Sequence, residues 1–246
     1  MTPPSEAFRL QAARPHEPLR TFHPRRSPLG PEREAALVHL WPRFGFSVHD
    51  AGSPVPVTPD GALDTVALFG RSAPLVLEIG SGMGETTAAM AAADPARDYL
   101  AVEAHLPGVA HLLGLLDRAG LTNVRIAHGD ALDLVRSALP ERSLAAVHVF
   151  FPDPWPKARH HKRRLVQPTH VALLTSRLQV GGVLHCATDW VDYADAMLEA
   201  LTADPSLENT ARSFAPRPAH RPVTKFEQRG IDLGHEVRDV VFRRVR

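Results

Sequence analysis

The segment LVLEIGSGMGE, residues 75–85, joins a short apolar run to a glycine-rich turn. The apolar run Leu75–Ile79 has the length and composition of a buried parallel strand, and Glu85–Ala93 after the turn predicts a helix. Glycines at such a turn let the backbone approach a ligand beyond the carboxyl end of the strand. The segment therefore predicts a strand–turn–helix unit of an α/β sheet, with Gly80 and Gly82 beside a ligand.

The alternation of apolar runs and helical segments continues to the end of the chain. Further strands are predicted at Tyr99–Val102, Val124–Ala127, Ala145–Phe150 and Val183–Cys186, and a closing strand at Val237–Val245. Further helices are predicted at Leu106–Arg118, Ala131–Leu139, Pro168–Leu178 and Asp192–Leu201. Strands separated by helices at this spacing are typical of βαβ units, so the predicted fold class is α/β with a doubly wound parallel sheet.

Residues 1–70 differ in composition from the rest, because they are rich in Pro and Arg and weakly periodic. Such a segment cannot bury much apolar surface, so its first part is expected to be flexible or only docked. One short helix is predicted from Pro31 to Leu40, since Pro suits a first helical turn and acids follow it. We therefore divide the chain into an N-terminal arm, residues 1–70, and a domain, residues 71–246.

The overall composition excludes several functional classes. The 28 basic and 27 acidic residues among 246 nearly cancel, so a nucleic-acid site must be a local patch. The single cysteine, Cys186, excludes an internal disulfide and a cysteine-built zinc site, and no metal is expected. No apolar run has the length of a membrane helix, and the first residues lack the apolar region of a secretion signal. We expect a soluble cytoplasmic protein with no membrane partner.

Two acids flank the glycine turn and indicate the charge of its ligand. Glu85 replaces the third glycine of the dinucleotide-binding pattern, and no Lys follows the glycines as a phosphate-binding loop requires. Glu78 and Glu85 would repel a pyrophosphate. They suit S-adenosylmethionine, which carries an ammonium and a sulfonium, and this cofactor is the prediction.

Acids also follow the second and third predicted strands. Glu103 ends its strand, where a carboxylate can accept hydrogen bonds from both hydroxyls of a ribose. Asp130 follows the next strand and could reach an adenine amino group, or it could cap the helix that begins at Ala131. Three acids in register after three consecutive strands favour a cofactor site.

The loop FFPDPWPK, residues 150–157, follows the fourth predicted strand. Pro152 and Pro154 fix their own φ and restrict the residue before each, which holds Asp153 on a stiff loop. The alternative interpretation is a proline-rich turn anchored by an aromatic side chain. Such a turn needs no acid between its prolines, so we place Asp153 where the methyl group of the cofactor should point.

A run of positive charge follows this loop. The basic run, KARHHKRR at residues 157–164, contains five cations and two His in a chain of balanced charge. Charge runs are usually solvated surface, but this one adjoins the predicted site and indicates a polyanionic substrate such as RNA. The predicted RNA-binding residues are Arg159, His160, His161, Lys162, Arg163 and Arg164.

Two later segments add polar side chains near the predicted rim. ATDW begins at residue 187 after the fifth strand, and TKFEQRG begins at residue 224 in a predicted loop. Asp189 or Glu227 could accept from N1–H and N2–H of guanine, and Trp155 or Phe226 could stack on a base. For Phe226 alone, burial in the core is the commoner fate.

These motifs together resemble the bacterial tRNA (guanine-N7)-methyltransferases, over about residues 75–246. The glycine turn is shared by many methyltransferases, whereas FFPDPWPKARHHKRR, ATDW and TKFEQRG in this order are specific. The resemblance implies a class I, Rossmann-like methyltransferase fold with one reversed strand near the sheet edge. It implies methyl transfer from S-adenosylmethionine to guanine N7 at position 46, in the variable loop of tRNA. It implies no obligate protein partner, and the chain is expected to be a monomer or homodimer.

The resemblance also implies roles for individual residues. Asp153 is the expected catalytic residue. The expected cofactor-binding residues are Glu78, Gly80, Gly82, Glu103, Asp130 and Asp153. The expected substrate-binding residues are Lys157, Asp189, Thr224, Lys225, Phe226 and Glu227.

Three other functions stay open on the sequence. An amino-group methyltransferase could use the same stiff aromatic–Pro–Asp–Pro loop to grip an amine. A non-catalytic RNA-binding module could retain the fold, although intact acids after four strands argue against it. An NAD-dependent oxidoreductase is disfavoured by Glu85 in the glycine turn.

Overall fold

One mixed sheet of eight strands organises the structure, a computed structural model that describes residues 20–23, 28–49, 55–232, 234 and 236–246. The strands are β1 (Gly45–Ser47), β2 (Leu75–Ile79), β3 (Asp98–Glu103), β4 (Val124–His128), β5 (Leu144–Phe150), β6 (Leu178–Thr188), β7 (Leu207–Asn209) and β8 (Arg238–Arg244). Their order across the sheet is β1-β4-β3-β2-β5-β6-β8-β7.

All neighbouring strands from β1 to β6 are parallel, whereas β8 runs antiparallel to both β6 and β7. The predicted α/β sheet with one reversed strand near its edge is therefore confirmed. The chain order changes direction between β2 and β5, which are neighbours in the sheet. In open α/β sheets the crevice at such a switch point, beyond the carboxyl ends of the strands, is where ligands bind.

Helices cover both faces of the sheet, as the doubly wound prediction requires. They are α1 (Pro31–Phe44), α2 (Thr65–Phe69), α3 (Glu85–Ala93), α4 (Leu106–Arg118), α5 (Ala131–Ser137), α6 (Pro168–Arg177), α7 (Val191–Thr202) and α8 (Lys225–Asp232). Buried side chains of α1, α3 and α4 form one apolar cluster, and those of α5, α6 and α7 belong to the other. Within the described ranges, none of the helices has the length and apolarity needed to span a membrane.

The sequence pattern explains why the central elements lie where they do. All five residues of β2 are buried, as expected for a parallel strand covered by helices on both faces. In α4 the apolar stripe Val109, Leu112, Leu113 and Leu116 follows the helical period and is fully buried. The predicted strands and helices from residue 75 onward are confirmed within two residues at each end, except that β6 begins at Leu178, five residues before its predicted start.

The N-terminal arm contributes more to the sheet than its composition suggests. Helix α1 continues to Phe44, beyond the predicted end at Leu40, because Leu37 and Phe44 pack into the cluster that α4 also joins. The next three residues form β1 and pair with β4 at the sheet edge. A three-residue strand has too little alternation to be read from sequence. The first part of the arm, residues 1–19, lies outside the described residues.

The prediction that residues 224–230 form a loop is wrong, because helix α8 begins at Lys225. Thr224 Oγ1 accepts a hydrogen bond from Glu227 N at 2.9 Å, and the Glu227 carboxylate accepts a longer one from Thr224 N at 3.4 Å. This reciprocal pair is a capping box, in which Thr and a Glu three residues later satisfy the first amides of a helix.

Candidate active site

The carboxyl ends of β2, β3, β4 and β5 open onto one cleft of about 210 Å³. Its lining includes the glycine turn and the acids Glu103, Asp130 and Asp153, and we call it the acid-lined cleft. Residues 21–23 of the N-terminal arm close one side of it. Of the cofactor residues predicted from sequence, Gly80, Gly82 and these three acids are brought together.

The glycine turn and Glu103 form one hydrogen-bonded unit. Glu103 accepts from Gly82 N through Oε2 and from His105 N through Oε1, both at 2.7 Å. Gly80 and Gly82 have φ values of 76° and 57°, in the left-handed region that favours glycine. Gly108 of α4 approaches so closely that an added Cβ would lie 2.1 Å from Gly82 O. The turn is therefore fixed in shape before any ligand arrives.

Glu78 lies one layer behind the cleft and is not part of its lining. It is buried and accepts a hydrogen bond from Thr87 Oγ1 at 2.5 Å. Burial raises its pKa to about 7; the Thr87 bond lowers the pKa, and the nearby Glu103 charge raises it further. Its role as a direct cofactor contact stays a prediction.

Asp130 caps a helix and also lines the cleft, so its two predicted roles are compatible. It caps α5, because its Oδ1 accepts from Leu132 N at 2.8 Å, and it also lines the acid-lined cleft. Burial raises the pKa of its carboxyl group, while the bond from Leu132 opposes that shift. One carboxylate oxygen thus holds the helix start, and the group remains at the rim for a ligand.

Asp153 is held by a strained loop and by the N-terminal arm. Phe151 and Trp155 adopt φ values of 51° and 46°, which non-glycine residues rarely adopt and which cost on the order of 1–3 kcal/mol each. His23 donates to Asp153 Oδ2 from its backbone N–H at 2.9 Å and from its ring Nδ1 at 3.0 Å. Asp153 thus lies at the cleft, with a partner that the sequence did not reveal.

Trp155 packs against His23 and so supports the contact between His23 and Asp153. Its ring stacks on His23 with centroids 3.9 Å apart, and its Nε1–H donates to Thr21 O at 3.1 Å. The indole is 5% exposed, so the prediction that Trp155 stacks on a base is wrong. The alternative interpretation, an aromatic anchor for a proline-rich turn, applies to Trp155, while Asp153 faces the cleft. His23 was missed because a lone His in a Pro- and Arg-rich segment gives no periodic signal.

The basic run forms a short 3₁₀ helix, Ala158–Arg163, beside the Asp153 loop. Lys157, Arg159 and Lys162 are exposed, and His160, His161 and Arg163 are partly buried. The guanidinium of Arg163 lies 5.0 Å from the centre of the Trp155 ring. This surface is consistent with a phosphate-binding patch formed by Lys157 and by five of the six predicted RNA-binding residues, which are residues 159–163 but not Arg164.

Arg164 does not belong to that surface, which corrects its assignment as an RNA contact. It is 5% exposed and donates to Pro154 O at 3.0 Å and to Asp192 Oδ2 at 2.8 Å. Its guanidinium also lies 4.7 Å from the centre of the Tyr193 ring. A buried cation with these partners ties the proline loop to α7 and is not exposed to a phosphate.

Glu227 is likewise a structural residue, and its assignment as a guanine acceptor is wrong. It is 2% exposed and accepts from Arg221 Nη1 at 2.6 Å and Nη2 at 2.9 Å. Arg221 also donates to both oxygens of Asp239, each at 2.8 Å. We call Arg221, Glu227 and Asp239 the ion-pair cluster. Both Glu227 oxygens are committed within the fold, so substrate cannot reach them.

The other substrate-binding predictions have separate outcomes. The Thr224 hydroxyl caps α8, which accounts for the residue without a ligand. Asp189 follows β6, is partly buried and lies outside the cleft lining. Lys225 and Phe226 begin α8, and their side chains lie outside the part of the structure that is described. Beside Asp189, Trp190 is 42% exposed and is the aromatic ring that the sequence reasoning overlooked at this rim.

Known proteins share both the sequence and the fold of this chain. Residues 72–240 match a protein family described as "Putative methyltransferase". The chain is 52% identical to a tRNA (guanine-N(7)-)-methyltransferase of Nitrosospira multiformis over 230 residues, which are 94% of this chain and 96% of that protein. It is 52% identical to a protein of the same name from Streptomyces coelicolor, over 92% of this chain and 81% of that protein.

Solved structures show the same fold at low sequence identity. The 16S rRNA methyltransferase KamB superposes with a TM-score of 0.55 and 14% identity, over 78% of this chain and 99% of KamB. TrmN from Thermus thermophilus gives a TM-score of 0.50 and 18% identity, over 73% of this chain and 47% of TrmN. The sheet described above is thus a class I methyltransferase sheet.

Proposed function

Since the chain belongs to the family of tRNA (guanine-N(7)-)-methyltransferases, we propose that the acid-lined cleft is its methyl-transfer site. The reaction moves a methyl group from S-adenosylmethionine to N7 of a guanine in tRNA. The observation that carries the proposal is that Glu103, Asp130 and Asp153, from three separate strand ends, line one cleft with the glycine turn. Carboxylates at a topological switch point suit a cationic nucleoside.

The residues present fit this cofactor. Glu103 accepts one amide at each carboxylate oxygen, and the two ribose hydroxyls would donate to the same carboxylate, whose oxygens each have two acceptor sites. Asp130 would accept from the adenine amino group, and Gly80 and Gly82 would let the methionine part approach the turn. Glu78, behind the turn, would add negative charge below the ammonium. Because its pKa is raised to about 7 in the ligand-free chain, a cation nearby would favour its ionised form.

Asp153 would act by orientation and charge. S-adenosylmethionine supplies a methyl group on a sulfonium, and guanine N7 attacks it with a lone pair that carries no proton. No general base is therefore required, and the barrier falls mainly through positioning and electrostatics. The carboxylate would stabilise positive charge as it passes from sulfur to the base. His23 fixes the Asp153 rotamer by two hydrogen bonds to one oxygen, which leaves the other oxygen for the reactants.

The basic run would hold the tRNA beside the cleft. Lys157, Arg159 and Lys162 are exposed next to the Asp153 loop, where phosphates would lie if a guanine entered the cleft. Phosphate contacts position a nucleic acid and base contacts select the nucleotide. We propose guanine 46 of the variable loop as the target, with the exposed Trp190 ring available for stacking on a neighbouring base. A tRNA substrate also leads us to expect a cytoplasmic enzyme.

The decisive experiment uses an unmodified tRNA transcript and methyl-labelled S-adenosylmethionine, followed by chemical cleavage at 7-methylguanosine. Cleavage at one variable-loop guanine supports the proposal, and label on an amino group instead would point to an amino-group methyltransferase. Titration of the cofactor separates an enzyme from a non-catalytic module. Glu103→Gln should weaken cofactor binding by about tenfold or more, because a hydrogen bond to a charged group contributes about 1.5–3 kcal/mol. The matched control Asp133→Asn changes a partly exposed acid of α5 outside the cleft lining and should bind normally.

A further inference from the structure

Three imidazoles converge in a place that methyl transfer does not use. His148 lies in β5, His185 in the neighbouring strand β6, and His220 in the segment before α8. One ring nitrogen of each lies within 4.8 Å of a ring nitrogen of both others. We call these three residues the histidine cluster. His148 and His185 are buried, whereas His220 is exposed and connects the cluster to solvent.

The buried members have nitrogens without hydrogen-bond partners. His148 Nδ1 and His185 Nδ1 are both buried and unpaired. His185 Nε2–H donates to Asp239 Oδ1 at 2.6 Å, which fixes the tautomer and leaves the lone pair on Nδ1. Buried polar nitrogens normally find a partner, so two orphans in one cluster require an explanation. A carboxylate behind a histidine is the arrangement that orients metal-binding imidazoles and raises their basicity.

The charges around the cluster also favour a cation. Two guanidinium groups act on the cluster. Arg221 is compensated by Glu227 and Asp239, so the ion-pair cluster has a net charge of −1, and Arg97 is paired with Asp94. Burial lowers the pKa of each of the three imidazoles. The neutral imidazole is the form that coordinates a metal ion.

We propose that His148, His185 and His220 bind one divalent transition-metal ion of the Zn²⁺ class. Zn²⁺ takes imidazole nitrogens at about 2.0–2.1 Å, which separates the ligand atoms by about 3.4 Å in a tetrahedron. The present separations of up to 4.8 Å would have to shorten by up to about 1.4 Å, through rotation of the rings, when an ion binds. Three protein nitrogens leave a fourth position open, and the exposed His220 gives the ion its path from solvent.

A bound ion would affect the neighbouring cleft through Phe150. Its ring centre lies 5.1 Å from that of His148 and 4.8 Å from that of His185, and Phe150 lines the acid-lined cleft. The ion would also clamp the segment carrying His220 onto β5 and β6. The alternative interpretation is that the three rings only pack against one another, as their stacked and edge-to-face geometry allows. That interpretation predicts no affinity for metal.

The test is a Co²⁺ titration of the full-length protein after dialysis against a chelator. Visible absorption bands report Co²⁺ in a tetrahedral nitrogen site, and added Zn²⁺ should displace the ion. We expect one Co²⁺ per chain for the wild type and for His39→Ala, which changes an exposed histidine on α1. His220→Ala should bind Co²⁺ at least about tenfold more weakly. Loss of a residue that only orients a metal ligand already costs about 10–100-fold in metal affinity, and His220 would be a ligand itself.

A second readout is thermal unfolding with and without Zn²⁺. A ligand that binds only the folded state raises the melting temperature, and this rise should be present in the wild type and absent in His220→Ala. Because His220 is exposed, the variant is expected to fold. Equal affinity of the wild type and His220→Ala, or no tetrahedral absorption at all, would overturn the proposal. Either outcome leaves the proposed methyl-transfer site untouched, because the histidine cluster is separate from the acids of the cleft.

Discussion

Replacement of Glu227 by Gln asks whether this carboxylate stabilises the fold or binds the substrate. Glu227 and the Arg221 guanidinium are almost completely buried and share two hydrogen bonds of 2.6 and 2.9 Å. Gln has a similar shape but turns one acceptor into a donor that faces the guanidinium. Breaking a buried ion pair costs about 3–5 kcal/mol. Since Asp239 still neutralises Arg221, we expect the lower end, about 3 kcal/mol.

This loss converts into a measurable change in thermal stability. A domain of 150–250 residues loses about 2–4 °C of melting temperature per kcal/mol, so the melting temperature of Glu227→Gln should fall by about 6–12 °C. Circular dichroism and urea unfolding measure the loss, and methyl transfer is assayed well below the new melting temperature. Glu236→Gln is the matched control, because that carboxylate is exposed near Arg238 and should change stability little.

The reasoning fails if Glu227→Gln melts like the wild type but loses selectivity for guanine. That result would return Glu227 to the role of base acceptor that its sequence motif suggested. A destabilised variant with nearly normal turnover at low temperature would support the ion-pair cluster. The two outcomes are distinguishable because one is measured without tRNA and the other only with it.

Three further predictions concern the cleft and its surroundings. The pKa of Glu78 is raised to about 7 from 4.5, so between these pH values the folded ligand-free chain binds more protons than the unfolded chain. The contribution of Glu78 to the free energy of unfolding is therefore complete below pH 4.5 and is lost as the pH rises through 7. The stability gained by Glu78→Gln over the wild type, measured by urea unfolding, should therefore grow by about 3 kcal/mol from pH 4.5 to 8, and a difference constant with pH would count against it. Replacing both Lys157 and Lys162 by Ala should reduce the slope of log affinity for tRNA against log salt by about 0.7–0.9 per lost phosphate contact. The control Arg118→Ala changes an exposed residue at the end of α4, before the start of β4 and away from the carboxyl ends of the strands, and should leave the slope unchanged. His23→Ala should lower kcat about fivefold, since it removes one hydrogen bond worth about 1 kcal/mol from Asp153, and His23→Asn should restore part of the loss; equal rates for all three proteins would show that His23 does not position Asp153.

The central sheet could be predicted from sequence because buried parallel strands and amphipathic helices have clear patterns. Leu75–Ile79 and Leu106–Arg118 are correct to the residue, and both are strongly apolar with the expected period. The short elements escaped prediction, since β1 and β7 have three residues each and show no alternation. Helix α8 differs, because its sequence does contain a signal, the Thr-x-x-Glu capping box. The same two residues also suit a ligand-binding loop, so the motif alone does not identify the helix.

The candidate site could likewise be predicted only in part. Acids directly after parallel strands must meet at one edge of the sheet, so Glu103, Asp130 and Asp153 could be placed without coordinates. The charge of a side chain does not show whether it forms an ion pair inside the fold. Arg164 and Glu227 lie within specific motifs, yet their partners Asp192 and Arg221 are set by tertiary packing. The contact between His23 and Asp153 spans 130 positions, and no local pattern predicts it.

The most direct test of the account separates cofactor binding from methyl transfer in Asp153→Asn. Calorimetry gives the Kd for S-adenosylmethionine, and single-turnover methylation of unmodified tRNA gives the rate of the chemical step. We expect the Kd to stay within about fivefold, because a partly exposed charge contributes about 1 kcal/mol or less to binding. The rate should fall by about 10²–10³, the cost of removing one preorganised electrostatic partner. An unchanged rate, or a loss of affinity as large as the loss of rate, would contradict the role assigned to Asp153.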